Sequence, residues 1–328
     1  MNNKLQEMLD FIHESPVCFQ AAENVKKRLL AAGYEDLSDL DGIRAGGKYF
    51  MTRNNSAVIA FRVPKTKAGG FIISAAHSDS PCLKIRDKAE LEGGVAVRLD
   101  TERYGGMINA SWVDRPLSVA GRVMVRTKKG VEVRLVDLKK DMAVIPNLAI
   151  HMNRGMNDSV KYDPARDLVA LYCEGENKGR FYEEIAQAAG CRAEDIISSD
   201  LYLYNNQPGT VWGPSGEFVS SPRLDDLACV FACTEAFLTA KKTDRIPVLC
   251  VFDNEEIGSG TKQGAGSDFL PRILLGISRG LGLSENAHYA LLDNSFFLSC
   301  DNGHAKHPNH PEMADANEYP VLNGGIVI

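Results

Sequence analysis

The sequence lacks the features that would direct the chain into a membrane or onto nucleic acid. It contains no run of about 18 apolar residues, so we predict no transmembrane segment. Residues 1–7 lack the apolar core of a signal peptide, and the cytosol is therefore the expected location. No basic tract is present, and the formal net charge is −6. Nucleic acid and anionic membranes are accordingly not expected as partners.

Cysteine pairs with the Cys-x-x-Cys spacing of many zinc sites are also absent. The eight cysteines are scattered along the chain, and several of them lie within apolar runs. In a reducing compartment, such cysteines are most simply buried free thiols. The sequence therefore predicts neither a disulfide framework nor a cysteine-ligated zinc site.

The composition is that of an ordinary globular protein. The chain has 328 residues, of which 44% are hydrophobic and 24% are charged. At about 100–200 residues per domain, this length suggests two domains. Helix and strand patterns alternate in residues 1–82 and again in residues 221–328, whereas residues 83–220 are rich in strand patterns. We therefore predict an α/β domain, with a central sheet covered by helices on both faces, interrupted by a β-rich insertion.

Local patterns predict the individual elements of this α/β domain and one helix in the insertion. Helical spacing predicts helices over residues 5–12, 21–33, 180–189 and 269–280. Residues 49–52 and 57–63 form a predicted hairpin around the turn at Asn54-Asn55. Buried strands are predicted at residues 71–76, 246–252 and 289–292.

Two adjacent carboxylates, Glu255 and Glu256, follow the almost wholly apolar strand at residues 246–252. Carboxylates at the end of a buried strand need a partner such as a metal ion, or else they must retain their protons. Ligands of open α/β sheets bind just beyond the carboxyl ends of the strands. Taken alone, the pair is explained equally well as a solvated acidic turn.

Further polar residues follow the other predicted strands. His77 and Asp79 end the strand at residues 71–76, and Asp225 lies where the chain re-enters the α/β domain. Asp301 follows the strand predicted at residues 289–292. Taken singly, His77 is explained as a structural histidine, Asp225 as a helix N-cap and Asp301 as part of a turn. Together, imidazole and several carboxylates favour a pair of divalent ions that share one carboxylate, with a spare carboxylate as general base.

Six sequence blocks resemble the signature set of the aspartyl aminopeptidase family of co-catalytic zinc exopeptidases. Four of them carry the residues just described: HSDSP at 77–81, SPRLDDL at 221–227, DNEEIGS at 253–259 and SCDNGHAKHPN at 299–309. The other two lie in the insertion: WVDRPLSVAGR at 112–122 and IPNLAIH at 145–151. The order and the spacing of the blocks agree with the family, and the resemblance covers essentially the whole chain.

The resemblance implies that four residues bind two zinc ions: His77, Asp225, Glu256 and Asp301. Asp225 would bridge the two ions, while His77 and Asp301 would bind the first ion and Glu256 the second. A separate group, formed by the histidines at positions 304, 307 and 310, is an alternative zinc site. Because these three lie in a loop rich in proline and asparagine, we expect them to be exposed or to support the site.

The resemblance also implies catalytic roles for three residues: Glu255, Asp79 and His151. Glu255 would be the general base, and Asp79 would orient the imidazole of His77. His151 would reach from the insertion into the active site of a neighbouring subunit and stabilise the reaction intermediate there. Without the resemblance, His151 is better explained as a structural histidine after an apolar run. The insertion would mediate dimerisation, and larger assemblies would be built from the dimers.

The expected function is that of a metal-dependent aminopeptidase that releases N-terminal Asp or Glu from peptides. The alternative is a non-catalytic assembly subunit or an inactive fragment of such an enzyme. The resemblance places a last metal-binding histidine beyond the end of this sequence, and no histidine follows His310. We therefore expect residues 1–328 alone to hold at most one tightly bound metal ion and to show little activity.

Overall fold

The computed structural model describes residues 3–65, 68–93, 95–241 and 244–328. The helices are α1 (Asn3–His13), α2 (Cys18–Ala31), α3 (Pro164–Asp167), α4 (Arg180–Ala189), α5 (Leu224–Thr239), α6 (Phe269–Gly280) and α7 (Glu285–Asp293). The strands are β1 (Glu35–Asp36), β2 (Lys48–Arg53), β3 (Ala57–Arg62), β4 (Phe71–His77), β5 (Cys82–Gly93), β6 (Ala96–Tyr104), β7 (Pro116–Thr127), β8 (Gly130–Asp137), β9 (Ala143–Val144), β10 (Ala170–Glu174), β11 (Ile196–Tyr204), β12 (Thr210–Trp212), β13 (Phe218–Ser220), β14 (Ile246–Phe252) and β15 (Phe296–Ser299). Among the helices in these ranges, none combines the length and the apolar character needed to cross a membrane.

The first sheet has six strands in the order β1-β2-β3-β14-β4-β15. In its middle, β14 runs parallel to β4, and β4 runs parallel to β15. The carboxyl ends of these three strands therefore lie side by side at one edge of the sheet. This edge brings together segments that are more than 200 residues apart in the sequence.

Helices cover both faces of this sheet because its central strands are apolar on both sides. In β14, Val248 and Cys250 belong to a core that also contains side chains of α6 and α7. Their neighbours Leu249 and Val251 belong to a second core, shared with α1, α2 and α5. Successive side chains of a strand point to opposite faces, so one apolar run supplies both cores. The predicted central sheet with helices on both faces is confirmed.

The second sheet is built from residues 82–204. Its seven strands follow the order β11-β5-β6-β10-β9-β7-β8, and β11 also pairs with β7. This extra pairing closes six of the strands into a ring. The ring is filled by fully buried side chains such as Leu99, Leu117 and Leu201, together with Phe181 from α4. The strands β12 and β13 pair only with each other. The division into domains at residues 82/83 and 220/221 stays a prediction.

One predicted element is wrong. Residues 289–292, predicted as a strand, belong to the helix α7. The hydroxyl of Ser284 accepts a hydrogen bond of 3.3 Å from the backbone N–H of Ala287 and so caps this helix. His288 and Leu291 are the buried residues of α7, three positions apart, as expected on one face of a helix. The strand that precedes Asp301 is β15, and its side chains are all exposed.

Candidate metal centre

The ends of β4 and β14 lie side by side. His77 is the last residue of β4 and is in register with Phe252, the last residue of β14. The backbone N–H of Ser78 donates to the carbonyl of Phe252 at 2.8 Å, which extends the pairing beyond the strand. Beyond β14, Asn254 has a left-handed backbone with φ of 62°. The chain changes direction there and enters one turn of 3-10 helix, Glu255–Ile257. Asparagine tolerates this conformation better than most residues.

Two further segments bring the remaining predicted ligands to this edge. The N–H of Cys300 donates to the carbonyl of Ala75 at 2.8 Å, so Asp301 follows directly on the pairing between β15 and β4. Asp225 lies in the first turn of α5, where its own backbone and that of Asp226 are not helical and the peptide bond between them is cis. Ser80 donates to the carbonyl oxygen of Asp225 at 2.8 Å.

The imidazole of His77 lies at the centre of the cluster. Its Nε2 atom is 3.5 Å from Asp225 Oδ1 and 3.7 Å from Asp301 Oδ1. Glu255 Oε2 lies 3.9 Å from the same nitrogen. Three carboxylates thus approach a single imidazole nitrogen, although the residues are spread from position 77 to position 301. The structure thus brings these predicted site residues together, and their roles stay predictions.

Two overlapping groups of side chains have ligand atoms close enough to share a metal ion. In the first group, atoms of His77, Asp225, Asp226 and Asp301 all lie within 4.8 Å of one another. In the second group, the same holds for His77, Glu255 and Glu256. The structure therefore brings together all four residues that the sequence predicts as zinc ligands. It places Glu256 with His77 and Glu255 and adds Asp226 to the first group.

Asp79 connects His77 to the turn that follows β14. The carboxylate is almost fully buried, and its Oδ1 lies 3.4 Å from Nδ1 of His77. The backbone N–H groups of Glu255 and Glu256 each donate to this carboxylate at 3.2 Å. The hydroxyl of Tyr104 donates to its Oδ2 at 2.7 Å. Burial raises the pKa of Asp79, but the hydrogen bonds from His77 and Tyr104 outweigh it and keep this pKa below its usual value.

The charges in the cluster alter the pKa of the imidazole and of two carboxylates. Burial lowers the pKa of His77, but the hydrogen bond to Asp79 and the surrounding carboxylates outweigh it and raise this pKa to about 10. Burial and the neighbouring carboxylates Asp79 and Asp225 raise the pKa of Glu256 to about 7. Burial and Asp301 raise the pKa of Asp225. The part of each shift that comes from neighbouring carboxylates reflects an excess of negative charge, which a cation would neutralise.

Asp226 was not predicted as a site residue. Its side chain is fully buried, and it accepts hydrogen bonds from the backbone N–H of His77 at 3.1 Å and from Asn302 Nδ2 at 2.9 Å. Burial raises its pKa to about 6. Both of its oxygen atoms thus have a donor, and the carboxylate ties the ends of β4 and α5 to the segment after β15.

Tyr104 and Asn254 are two other site residues that sequence reasoning missed. Tyr104 belongs to β6 in the second sheet, and its hydroxyl accepts a hydrogen bond of 2.8 Å from Asn254 Nδ2 while donating to Asp79. A tyrosine in a strand pattern carries no local signal of such a contact. The contact joins the predicted insertion to the cluster.

The remaining predicted histidines lie outside the two groups of potential metal ligands. His151 is exposed in a loop of the insertion, and no hydrogen bond or ion pair within the described residues joins it to the cluster. The histidines at 304, 307 and 310 are also exposed. Within the same described ranges, none of the three lies in a group of side chains whose ligand atoms are close enough to share a metal ion. The expectation that these three are exposed agrees with the structure.

The chemistry of the donor set fits zinc, which binds imidazole nitrogen and carboxylate oxygen. An α/β sheet with these donors at the carboxyl ends of its parallel strands is suited to metal-assisted hydrolysis. Residues 11–328 match the family described as aminopeptidase I zinc metalloprotease (M18), and the chain belongs to this family. The family prediction made from the sequence is confirmed, and with it the assignment to the peptide-bond hydrolases.

Individual relatives agree with this assignment. The chain is 41% identical to a probable M18 family aminopeptidase 2 of Clostridium acetobutylicum, and the match covers 100% of the chain and 79% of that relative. The structure is similar to that of mApe1 from Chaetomium thermophilum, with a TM-score of 0.89 and 31% identity over 96% of the chain and 78% of the other protein. It is also similar to the yeast mApe1 dodecamer, with a TM-score of 0.83 and 26% identity over 96% and 75% of the two chains.

Proposed function

We propose that this protein removes N-terminal residues from peptides at the cluster centred on His77, with a preference for N-terminal Asp or Glu. The observation that carries the proposal is the convergence of Asp225, Asp301 and Glu255 on Nε2 of His77 at 3.5–3.9 Å. Carboxylates held this close repel one another unless a cation lies between them. The preference for acidic N-termini rests on the sequence resemblance alone.

His77, Asp225 and Asp301 would hold one zinc ion, and Asp225 and Glu256 would contribute to a second. When bound, zinc lowers the pKa of a water molecule and polarises the carbonyl group of the substrate. The backbone carbonyl of Asp79 accepts the other ring N–H of His77 at 3.0 Å, and the carboxylate lies 3.4 Å from the same nitrogen. Asp79 thus fixes the tautomer and the orientation of the imidazole. Asp226 anchors the backbone of His77 from the opposite side.

Glu255 is the candidate general base. Its side chain is about half exposed, while its backbone N–H is anchored on Asp79. This arrangement leaves the carboxylate free to accept a proton from the attacking water and to pass it to the amine that leaves. The backbone anchor limits the movement of the residue, which keeps the base close to the reacting atoms.

We propose that the chain works as a homo-oligomer and that His151 of one subunit acts at the active site of a neighbour. The exposed loop that carries His151 supports this proposal, since a histidine on a protruding loop is accessible to a second subunit. The solved structure of the yeast relative is a dodecamer. Dimerisation through the second sheet, within the predicted insertion, belongs to the same proposal. A cytoplasmic location is also proposed, in keeping with eight free cysteines.

The test is a comparison of peptide hydrolysis before and after removal of metal. The protein is stripped with a chelator, reloaded with zinc, and assayed on otherwise identical peptides that begin with Asp, Glu, Ala or Lys. We expect the low activity of residues 1–328 to appear only after reloading, and the Asp and Glu peptides to be cleaved faster. Equal rates for all four peptides would refute the acidic preference but not the aminopeptidase function. Activity that is unaffected by the chelator would refute the metal-dependent mechanism at the His77 cluster.

A further inference from the structure

A cavity of about 520 Å³ lies between the two sheets, next to the candidate metal centre. Asp79 and Asp225 border it on the side of the metal centre, while Tyr104 and Trp112 border it on the side of the insertion. Small-molecule sites have volumes of about 300–1,000 Å³. The cavity is therefore large enough for one amino-acid residue with its side chain.

Arg115 lines this cavity and has no partner for its charge. None of the hydrogen bonds and ion pairs among the described residues involves its side chain, and its Nε atom is buried without a hydrogen-bond partner. The backbone beside it is fixed, because the N–H of Asp114 donates to the carbonyl of Ile145 at 2.8 Å. Asp114 also accepts hydrogen bonds of 2.9 Å from both the backbone and the side chain of Asn147. A partly buried guanidinium on a fixed backbone favours an anionic ligand.

Arg223 is a second guanidinium on the wall of the cavity. It donates to the backbone carbonyls of Asn205 at 2.8 Å and of Ile12 at 3.2 Å, and it lies over the ring of Tyr204. These hydrogen-bond partners are uncharged and hold the side chain in place. Burial lowers the pKa of Arg223, and the charge of Asp137, which accepts a hydrogen bond from Tyr204, acts against this effect. The Nε atom of Arg223 is also buried without a partner. Both arginines line the cavity, so its wall carries two cationic side chains.

The acidic residues on the wall do not cancel this positive charge. Both oxygens of Asp79 already accept hydrogen bonds, from Tyr104 and from the backbone of the turn after β14. Asp225 faces His77 and is a predicted metal ligand, so bound zinc would neutralise it. Glu256 and Asp301 do not line the cavity. The cavity that borders the acidic cluster thus also carries both arginines on its wall.

We propose that Arg115 binds a carboxylate of the residue that follows the cleaved peptide bond. This carboxylate is either the free C-terminus of a dipeptide or the side chain of an acidic second residue. The substrate amine is attracted to the acidic cluster, and the carboxylate to the arginines. Two extended residues span about 7 Å, which keeps the two charges of a dipeptide apart. The proposal rests on the proposed aminopeptidase function.

The test measures binding separately from turnover. Reduced-amide analogues of Asp-Ala, in which a methylene group replaces the scissile carbonyl, cannot be hydrolysed. The zinc-loaded protein is titrated calorimetrically with the free acid, with its C-terminal carboxamide, and with the carboxamide of the corresponding Asp-Glu analogue. A charge-assisted hydrogen bond predicts that the free acid binds about 10- to 100-fold more tightly than the Asp-Ala carboxamide. Tight binding of the Asp-Glu carboxamide would show that the site also binds the side-chain carboxylate of an acidic second residue.

Three variants identify the residue responsible. In Arg115→Gln, the Asp-Ala free acid and its carboxamide are expected to bind with nearly equal affinity, so that their affinity ratio is close to one. Arg115→Lys keeps the charge but loses the planar fork, so we expect an intermediate ratio. Arg98 is an exposed arginine on β6 that does not line the cavity, and Arg98→Gln is expected to keep the wild-type ratio. Zinc content and thermal melting of each variant show that it is folded.

The outcomes separate this inference from the proposed function. If the wild-type protein binds all three analogues equally, or if Arg115→Lys and Arg115→Gln both keep the wild-type affinity ratios, the role of Arg115 is refuted. Hydrolysis of Asp-Ala carboxamide by the same preparation reports separately on the aminopeptidase function. Its absence, with the affinity ratio intact, would refute the function and leave the carboxylate site in place.

Discussion

His77 and Phe252 are register partners in the adjacent parallel strands β4 and β14. The pairing places the imidazole of His77 beside the turn that begins after Phe252, with Nε2 at 3.9 Å from the carboxylate of Glu255. Because both strands are buried in the middle of the sheet, a shift in register would turn their apolar side chains to the wrong faces. The sheet that forms the core of the protein thus also sets the geometry of the site.

The two adjacent glutamates are expected to have different roles. Glu255→Gln should retain bound zinc and lower kcat by about 10²- to 10⁴-fold, because it removes the proposed general base. Glu256→Gln should instead lower the zinc content, because it removes a proposed ligand. Metal analysis and peptide hydrolysis on the same preparations distinguish the two. Equal loss of zinc and equal residual rates in both variants would contradict the assignment.

Asp79 is expected to act through His77. Asp79→Asn keeps the shape of the side chain but removes its negative charge, so we expect zinc affinity to fall by about 10- to 100-fold. Tyr104→Phe removes a single hydrogen bond to Asp79 and should have a smaller effect in the same direction. Competition with a zinc chelator of known affinity measures both changes. An Asp79→Asn variant with wild-type zinc affinity would show that the carboxylate does not support the metal site.

Phe61 is expected to be critical for stability. It is fully buried in the core beneath α6 and packs against Tyr49 at a ring distance of 5.8 Å. Phe61→Ala should lower the free energy of unfolding by about 3–5 kcal/mol. Phe297 on the outer strand β15 is 49% exposed, so Phe297→Ala should cost clearly less. Urea denaturation followed by circular dichroism measures both losses, and equal losses would contradict the assigned positions.

The proposed role of His151 predicts complementation between subunits. His151→Ala and Glu255→Gln should each be nearly inactive as pure proteins. Co-expressed in one cell, the two variants should form mixed oligomers. In these, the Glu255→Gln subunit supplies an intact His151 to the active site of a neighbouring His151→Ala subunit, which still has Glu255. Part of the activity should therefore return. Separately purified variants combined without subunit exchange are the control. No recovery in verified mixed oligomers would refute action between subunits.

The sheet and the residues at its carboxyl edge could be predicted because both have local signals. The apolar run at 246–252 predicts a buried strand, and carboxylates at its end are unusual enough to attract attention. The predicted strand at residues 289–292 was wrong because Tyr289 and Leu291 are as common in helices as in strands. The strand β15 was missed because its apolar run of three residues, Phe296 to Leu298, is too short to show the period of a strand.

The supporting residues could not be predicted because their roles arise from contacts between distant segments. Tyr104 contacts Asp79 and Asn254 only because the second sheet packs against the first. Asp226 looks like a duplicate of Asp225 in the sequence, yet its carboxylate holds the backbone of His77. Arg115 is part of a recognised sequence block, but its lack of a partner is visible only in three dimensions.

The central claim is that the cluster around His77 binds zinc, and anomalous X-ray diffraction tests it most directly. Crystals of the zinc-loaded protein are measured on both sides of the zinc absorption edge. We predict an anomalous peak about 2.0–2.2 Å from Nε2 of His77 and from carboxylate oxygens of Asp225 and Asp301. The absence of a peak there, or a peak at the histidines 304, 307 and 310 instead, would contradict the account.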